Sequence, residues 1–213
     1  KITIVDYGSG NVLSAQKSFI KLAKDNNIEV DVLISKKLND VKNSTHIVLP
    51  GQGAFSTCMN GLKKTDGLID ELCEFALIKK KPFLGICVGM QMLANMSVEN
   101  GVHEGLGWID GQIKWLPGDN LKRPHMGWNL STPTKAKYNN LISDKNDYYF
   151  VHSYYFECAD KDNILAETKY GTNFASIVGK ENIYGVQFHP EKSSSQGLNL
   201  LKKFIGVWTC LHN

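Results

Sequence analysis

Residues 82–91 read Pro-Phe-Leu-Gly-Ile-Cys-Val-Gly-Met-Gln. An apolar run meets a glycine, a cysteine and a second glycine, and a helical pattern follows. Such a stretch folds as a strand turning sharply into a helix, with Cys87 at the corner. A residue there is pushed out of the sheet, and the helix N-terminus beside it favours negative charge. A thiolate gains from both. A small cysteine buried in a parallel strand fits the same letters, since free cysteines usually lie inside. On this stretch alone the two readings stand level.

A strand-to-helix corner needs a sheet with helices on it, and the preceding chain supplies one. Ile2–Val5, Glu29–Ile34 and Thr45–Leu49 are short β-rich runs. Helical spacing runs over Val12–Ala23, with Val12, Ala15, Phe19, Ile20 and Leu22 close to one face. Further helices are expected at about 54–64, at about 66–79, and from the Cys87 corner to about Met96. Near-continuous apolar strands alternating with helices predict a parallel sheet covered on both faces. The turn Gly8-Ser9-Gly10-Asn11 falls short of a dinucleotide fingerprint, because position 13 is Leu. A tight strand-to-helix turn describes it better.

After Asn100 the segments become short and rich in Gly, Pro, Trp and Tyr. Tyr148–Tyr155, Phe174–Val178 and Ile183–Phe188 read as strands, largely antiparallel, followed by a helix at about 196–207 and a fraying tail at 209–213. No linker or repeat interrupts the chain. The expected fold is α/β and flavodoxin-like, a single domain over 1–213. Its mixed, mostly parallel sheet carries helices on both faces and antiparallel C-terminal strands, the two halves sharing one sheet and one core.

The chain of 213 residues is long enough to bury its own core. A net charge of +3 is too slight to argue for nucleic acid, and Lys79-Lys80-Lys81 reads as a solvated helix end. The 5 cysteines are widely spaced and lack zinc-ligand spacing, so no metal site is expected. Free thiols suit a reducing cytoplasm. The sequence shows neither a charged n-region followed by an apolar h-region nor a membrane-length apolar run, so no leader or membrane span is expected, and Lys1 is expected to follow an initiator methionine.

A nucleophilic cysteine needs a base and a group that orients the base. His189 follows a strand end and can project from the same sheet edge as Cys87. Glu191, two residues on, can bond the far nitrogen of its imidazole and fix its tautomer. For an oxyanion, the Val88 N–H is the usual first donor at such a corner. Gly51-Gln52-Gly53, ending a neighbouring strand, can turn a backbone N–H toward the same point. A turn histidine, a surface glutamate and a plain glycine loop are the alternatives for these three features.

Gly85-Ile86-Cys87-Val88-Gly89-Met90-Gln91 and Gln187-Phe188-His189-Pro190-Glu191-Lys192-Ser193 resemble the motifs of class I glutamine amidotransferases. Pro124–Asn129 and Tyr149–Tyr154 are narrower, and are similar to the glutaminase subunits of imidazole glycerol phosphate synthases. The resemblance spans essentially the whole chain. It implies that Cys87 attacks the side-chain amide of glutamine, that His189 shuttles the proton and that Glu191 orients it. Gln91 and Glu99 resemble positions that hold the amino-acid end of glutamine, helped by Gly51 and the backbone at Ser153 and Tyr154. An ordinary helix-end glutamate is the other reading of Glu99. No cofactor is implied. The implied partner is a (β/α)8-barrel cyclase subunit that receives ammonia and makes imidazole glycerol phosphate and an aminoimidazole carboxamide ribotide. Lys192, Tyr149 and the turn ending at Asn11 match positions facing it.

Two features depart from the family pattern. Gln52 stands where valine is common in the oxyanion segment, and Met92–Val98 is less acidic and aromatic than usual. They keep open a paralogue that feeds a synthase modifying a cell-surface sugar. A non-catalytic module of the same fold and a cysteine peptidase are further readings. The intact Cys87, His189 and Glu191 speak against the first, and the Gly-Trp-Asn and Val-His-Ser segments against the second.

Overall fold

The structure, a computed structural model, describes residues 1–118, 120–134, 139 and 141–211, with side chains in the last helix described as far as residue 206. The first half is β1 (Ile2–Val5), α1 (Val12–Asp25), β2 (Val32–Ser35), α2 (Leu38–Lys42), β3 (His46–Gly51), α3 (Phe55–Lys63), α4 (Leu68–Cys73, prolonged by a π-helical segment Glu74–Ile78), β4 (Phe83–Cys87) and α5 (Val88–Gln91). The second half is β5 (Met96–Ser97), β6 (His103–Glu104), β7 (Gly111–Trp115), β8 (His125–Pro133), β9 (Asn146–His152), β10 (Tyr154–Cys158), β11 (Ile164–Tyr170), β12 (Thr172–Lys180), β13 (Ile183–Val186) and α6 (Ser194–Leu211).

Among the described residues these strands make two sheets, one in the order β2-β1-β3-β4-β13-β12-β11-β8-β9 and one in the order β10-β7-β5-β6. From β2 to β13 the large sheet is parallel, and beyond β13 it is antiparallel. The halves therefore share a sheet, as expected, but the second half also builds a sheet of its own. Every residue of β4 is buried between β3 and β13. In open α/β sheets the crevice at the carboxyl ends of the strands is where ligands bind, and Cys87 sits there.

Local chemistry explains the first helix. The Asn11 side chain accepts from the Ser14 amide at 3.3 Å and caps α1, satisfying one of its unpaired donors. Ala15, Phe19, Leu22 and Ala23 form the buried stripe. Full burial of a residue such as Phe19 stabilises by roughly 1.5–3 kcal/mol. Ile20, assigned above to this face, is 49% exposed, because the helical rotation carries it beside the stripe.

Three further expectations change. The helix after Cys87 was expected to reach Met96, but α5 ends at Gln91. The carbonyls of Met92, Leu93, Ala94 and Asn95 accept instead from the amides of residues 105–109, at 2.8–3.1 Å. The run Tyr148–Tyr155 is not one strand. It breaks at Ser153, whose carbonyl takes the Leu116 amide at 2.9 Å and draws the chain from the large sheet onto β7. Finally, α6 continues past Gly206 to Leu211 through sequence with no proline, so the tail expected at 209–213 is helical that far; 212 and 213 lie outside the described residues. No helix among the described residues is long and apolar enough to cross a membrane.

Candidate active site

Cys87 ends β4 with φ 56° and ψ −113°. Backbone held in so sparsely populated a region costs roughly 1–3 kcal/mol and persists only where its surroundings impose it. Here they do. A Cβ on Gly89 would lie 1.8 Å from the Leu49 carbonyl oxygen, and one on Gly51 would lie 2.5 Å from the Gly89 nitrogen. Backbone meets backbone between β3 and α5, and only glycine allows it. Cys87 is 5% exposed, with the Val151 carbonyl oxygen and Gln187 Nε2 each 3.9 Å from its sulfur.

His189 reaches the same place from β13. That strand runs parallel to β4 with Val186 opposite Ile86, and His189 follows three residues later. Its backbone is held on both sides. The amide donates to the Tyr149 carbonyl at 2.9 Å, and Ser193 Oγ donates to its carbonyl at 2.6 Å. Pro190 starts a 3-10 turn that brings Glu191 back to the ring, where Nδ1 lies 2.9 Å from Oε1. Burial alone would lower the imidazole's pKa. Hydrogen bonds to Cys87 and Glu191, with their negative charge, outweigh burial and push it up to about 10. The ring is therefore favoured as imidazolium at neutral pH.

A cavity of about 560 Å³ opens beside these groups. Of the residues singled out from sequence, Gln52, Gly53, Cys87, Val88, Gln91, Glu99, Ser153, Tyr154, His189 and Lys192 line it, whereas Gly51, Glu191, Tyr149 and Asn11 do not. Gln91 is buried and donates to the Tyr154 carbonyl at 3.2 Å and to Gln187 Oε1 at 3.1 Å. Glu99 is not at the end of its own helix, because residues 92–98 leave the helix early. Its Oε2 instead accepts from the Phe55 amide at 2.7 Å, at the N-terminus of α3, where a carboxylate is favoured.

The segment after β3 is paired with the corner, Gly51 standing opposite Cys87 in the parallel register. It is also tied to the turn after β1. Tyr7 donates its hydroxyl to the Pro50 carbonyl at 2.6 Å, and Ser9 donates to the Gln52 carbonyl at 2.7 Å. Ser9 Oγ also takes the Gln52 amide at 3.4 Å. A Cβ on Gly10 would lie 2.9 Å from the Pro50 carbonyl carbon, so that glycine serves close approach, not a nucleotide.

The family model described as glutamine amidotransferase class-I matches residues 3–207. The chain belongs to the class-I glutamine amidotransferase family. This amidotransferase is 44% identical over 210 residues to the imidazole glycerol phosphate synthase subunit HisH of Rhodospirillum rubrum, covering 96% of this chain and 98% of that one. It is 44% identical over 209 residues to the subunit of the same name from Pelagibacter ubique, covering 97% and 99%. Among solved structures, a glutamine amidotransferase superposes with a TM-score of 0.73 at 15% identity, covering 98% of each chain. Another, from Thermotoga maritima, gives 0.59 at 18% identity, covering 99% of this chain and 82% of that one. At such identities the likeness speaks for the fold alone, and it is the fold of this family.

Sequence reasoning passed over several residues at the amidotransferase's cavity and its frame, and three of them stand out. Gln187 links Gln91 to the Cys87 sulfur, Ser193 frames the His189 backbone, and His152 lines the cavity. Each lies inside a motif quoted above. It also passed over an apolar stripe on β8, where Met126, Trp128 and Leu130 are 65%, 55% and 43% exposed. The two-residue period of that strand was the available signal.

Proposed function

We propose that this chain is the glutaminase subunit of an imidazole glycerol phosphate synthase, acting as one amidotransferase domain over residues 1–213. The observation that carries the reading is the strained Cys87 corner in contact with an imidazole that Glu191 holds, at the wall of a cavity. Cys87 attacks the side-chain carbonyl carbon of glutamine. The His189 imidazolium, which already holds the proton that the thiol has given up, delivers it to the departing nitrogen, so ammonia leaves and a glutamyl thioester remains. Water, activated by the same imidazole, then releases glutamate and restores the thiol. Glu191 keeps Nδ1 of the ring occupied through both steps.

The Val88 amide and a backbone amide at Gln52 or Gly53 are the oxyanion donors; losing one such donor typically costs ~3 kcal/mol of transition-state stabilisation. Gln91, Glu99, Gly51 and the backbone at Ser153 and Tyr154 hold the amino-acid end, Glu99 facing the α-ammonium with the oxygen not used by Phe55.

Ammonia passes to a (β/α)8-barrel cyclase docked over Lys192, Tyr149 and the turn ending at Asn11. Lys192 is exposed at the cavity, and the Tyr149 ring meets Trp128 edge-on at 6.1 Å, so the apolar stripe of β8 extends the same surface. Apolar groups so exposed support a protein cover. Such a pair works in the cytoplasm. The sugar-synthase alternative is not favoured, because the relatives reported above carry the HisH name. Glutamate release, measured with and without the cyclase and its ligand, tests the reading: release accelerates with the partner, and equal rates would remove the coupling.

A further inference from the structure

The histidines of two quoted motifs are not used by that chemistry. His125 begins β8 and His152 ends β9, directly opposite one another in the antiparallel register. Both are buried, 3% and 6% exposed. His152 Nδ1 lies 2.8 Å from the Tyr154 carbonyl oxygen. A carbonyl only accepts, so this nitrogen carries the hydrogen and Nε2 of the neutral ring is an acceptor. His125 Nδ1, 2.9 Å from that Nε2, must donate to it, which leaves its own Nε2 as an acceptor. Asn129 Nδ2 supplies the donor at 3.1 Å. The orientation of that amide is fixed twice more: Nδ2 also donates to the Lys169 carbonyl at 3.1 Å, and Oδ1 accepts from the Leu130 amide at 2.8 Å. Burial pushes the two imidazoles down to about 4 for His125 and about 3 for His152, so both are neutral as the pattern requires. The hydrogen bonds therefore run one way, from Asn129 to Tyr154.

Their end point matters. The Tyr154 carbonyl also accepts from Gln91, and the Ser153 carbonyl accepts from Leu116. The peptide groups where the chain leaves the large sheet are thus fixed from several sides, and that segment is cavity wall. We infer that His125 and His152 are positioning residues: their one-way hydrogen-bond chain from Asn129 sets the Ser153–Tyr154 backbone in the geometry that receives the amino-acid end of glutamine. This rests on the reading that the cavity binds glutamine.

Two measurements test it on the full chain. Nitrogen NMR at neutral pH should find His125 and His152, among the 6 histidines, protonated on Nδ1 and bare on Nε2. Either ring in the opposite tautomer overturns the inference. The second measurement is the saturation of Cys87 alkylation by a diazoketone analogue of glutamine. His125→Phe keeps the stacking on Phe150 and Tyr170, at 4.9 and 4.0 Å, but cannot donate. Its half-saturating concentration should rise about tenfold while the limiting rate changes less than about twofold, the effect of one lost buried hydrogen bond on binding. His125→Asn, which can place a donor where Nδ1 was, should return to within about threefold. Alkylation by iodoacetamide, which needs no glutamine site, should not change. An unaltered half-saturation in His125→Phe overturns the inference. If that variant does not fold, Asn129→Leu cuts the same chain at its half-buried end, and a smaller rise supports the inference where no rise overturns it. If the analogue never labels Cys87 in the unaltered chain, the glutamine reading fails and takes this inference with it, an outcome distinct from normal labelling that ignores His125.

Discussion

Two neighbouring strand ends meet at the cavity, and they are built in opposite ways. At the end of β4, a Cβ on Gly89 would sit 1.8 Å from the Leu49 carbonyl oxygen. Past the end of β3, a Cβ on Gly53 would meet nothing within 4 Å. The corner carrying Cys87 has no slack. The segment proposed to donate to the oxyanion has room to turn and is tethered mainly by side chains, the hydroxyls of Tyr7 and Ser9. The nucleophile is thus set by backbone packing, whereas the donor is set by a few hydrogen bonds from a turn proposed to face the partner. That contrast suits a glutaminase switched on by docking: one half of the machinery is permanent and the other adjustable.

The largest effect belongs to the permanent half. Cys87→Ala should lower glutamine-dependent turnover by roughly 10⁴-fold or more, while ammonia-dependent turnover by the partner survives. Persistent glutamine hydrolysis in this variant, measured as glutamate release, would show that the nucleophile lies elsewhere. Next comes the direct comparison of the two glycines. Gly89→Ala drives a methyl into a backbone carbonyl and should destabilise by at least about 3 kcal/mol in denaturant unfolding. Gly53→Ala meets no neighbour and bears only its positive φ of 92°, for a loss of about 1–2 kcal/mol. Equal losses would erase the distinction between a packed corner and an open segment.

Much of the permanent half was legible in the sequence because its signals are local. Gly-Ile-Cys-Val-Gly at the end of an apolar run specifies the corner, and short apolar runs between helical periods specify the parallel sheet. The meeting of His189 with Cys87 was legible because Cys87 closes one apolar strand and His189 comes shortly after the end of another. What stayed hidden depends on distant partners. The length of α5 is set by amides at 105–109, the break at Ser153 by Leu116, and the place of Glu99 by the N-terminus of α3. Neither α2 nor β11 was foreseen. The tether from Ser9 to Gln52 joins residues 43 apart, and no period or motif announces it.

The charge on His189 belongs to the rigid side and gives a pH signature. Its folded pKa of about 10 lies above the ordinary 6.5, so the folded chain holds the extra proton between those values. The resulting stabilisation is complete below about pH 6.5 and is lost as the pH rises through about 10. The melting temperature should therefore fall across this window, and His189→Gln should flatten the fall by about 4 °C or more. A variant that declines in parallel with the unaltered chain would mean that the ring is not held as imidazolium.

The smallest effect tests the adjustable half. Ser9 Oγ donates to the Gln52 carbonyl and takes the Gln52 amide, so the amide is turned toward the hydroxyl and not toward Cys87. Ser9→Ala removes both contacts at the cost of about 1 kcal/mol of stability or less, since the site is partly exposed. If the segment is adjustable, the freed amide samples the cavity more often, and glutamate release without the partner should rise about two- to fivefold. The partner's further acceleration should shrink by a similar factor, because part of the switching has already been done. A lower melting temperature with unchanged release would make Ser9 a structural tie only. The two strand ends would then differ in packing without differing in function, and the switch would have to lie outside the Pro50–Gly53 segment.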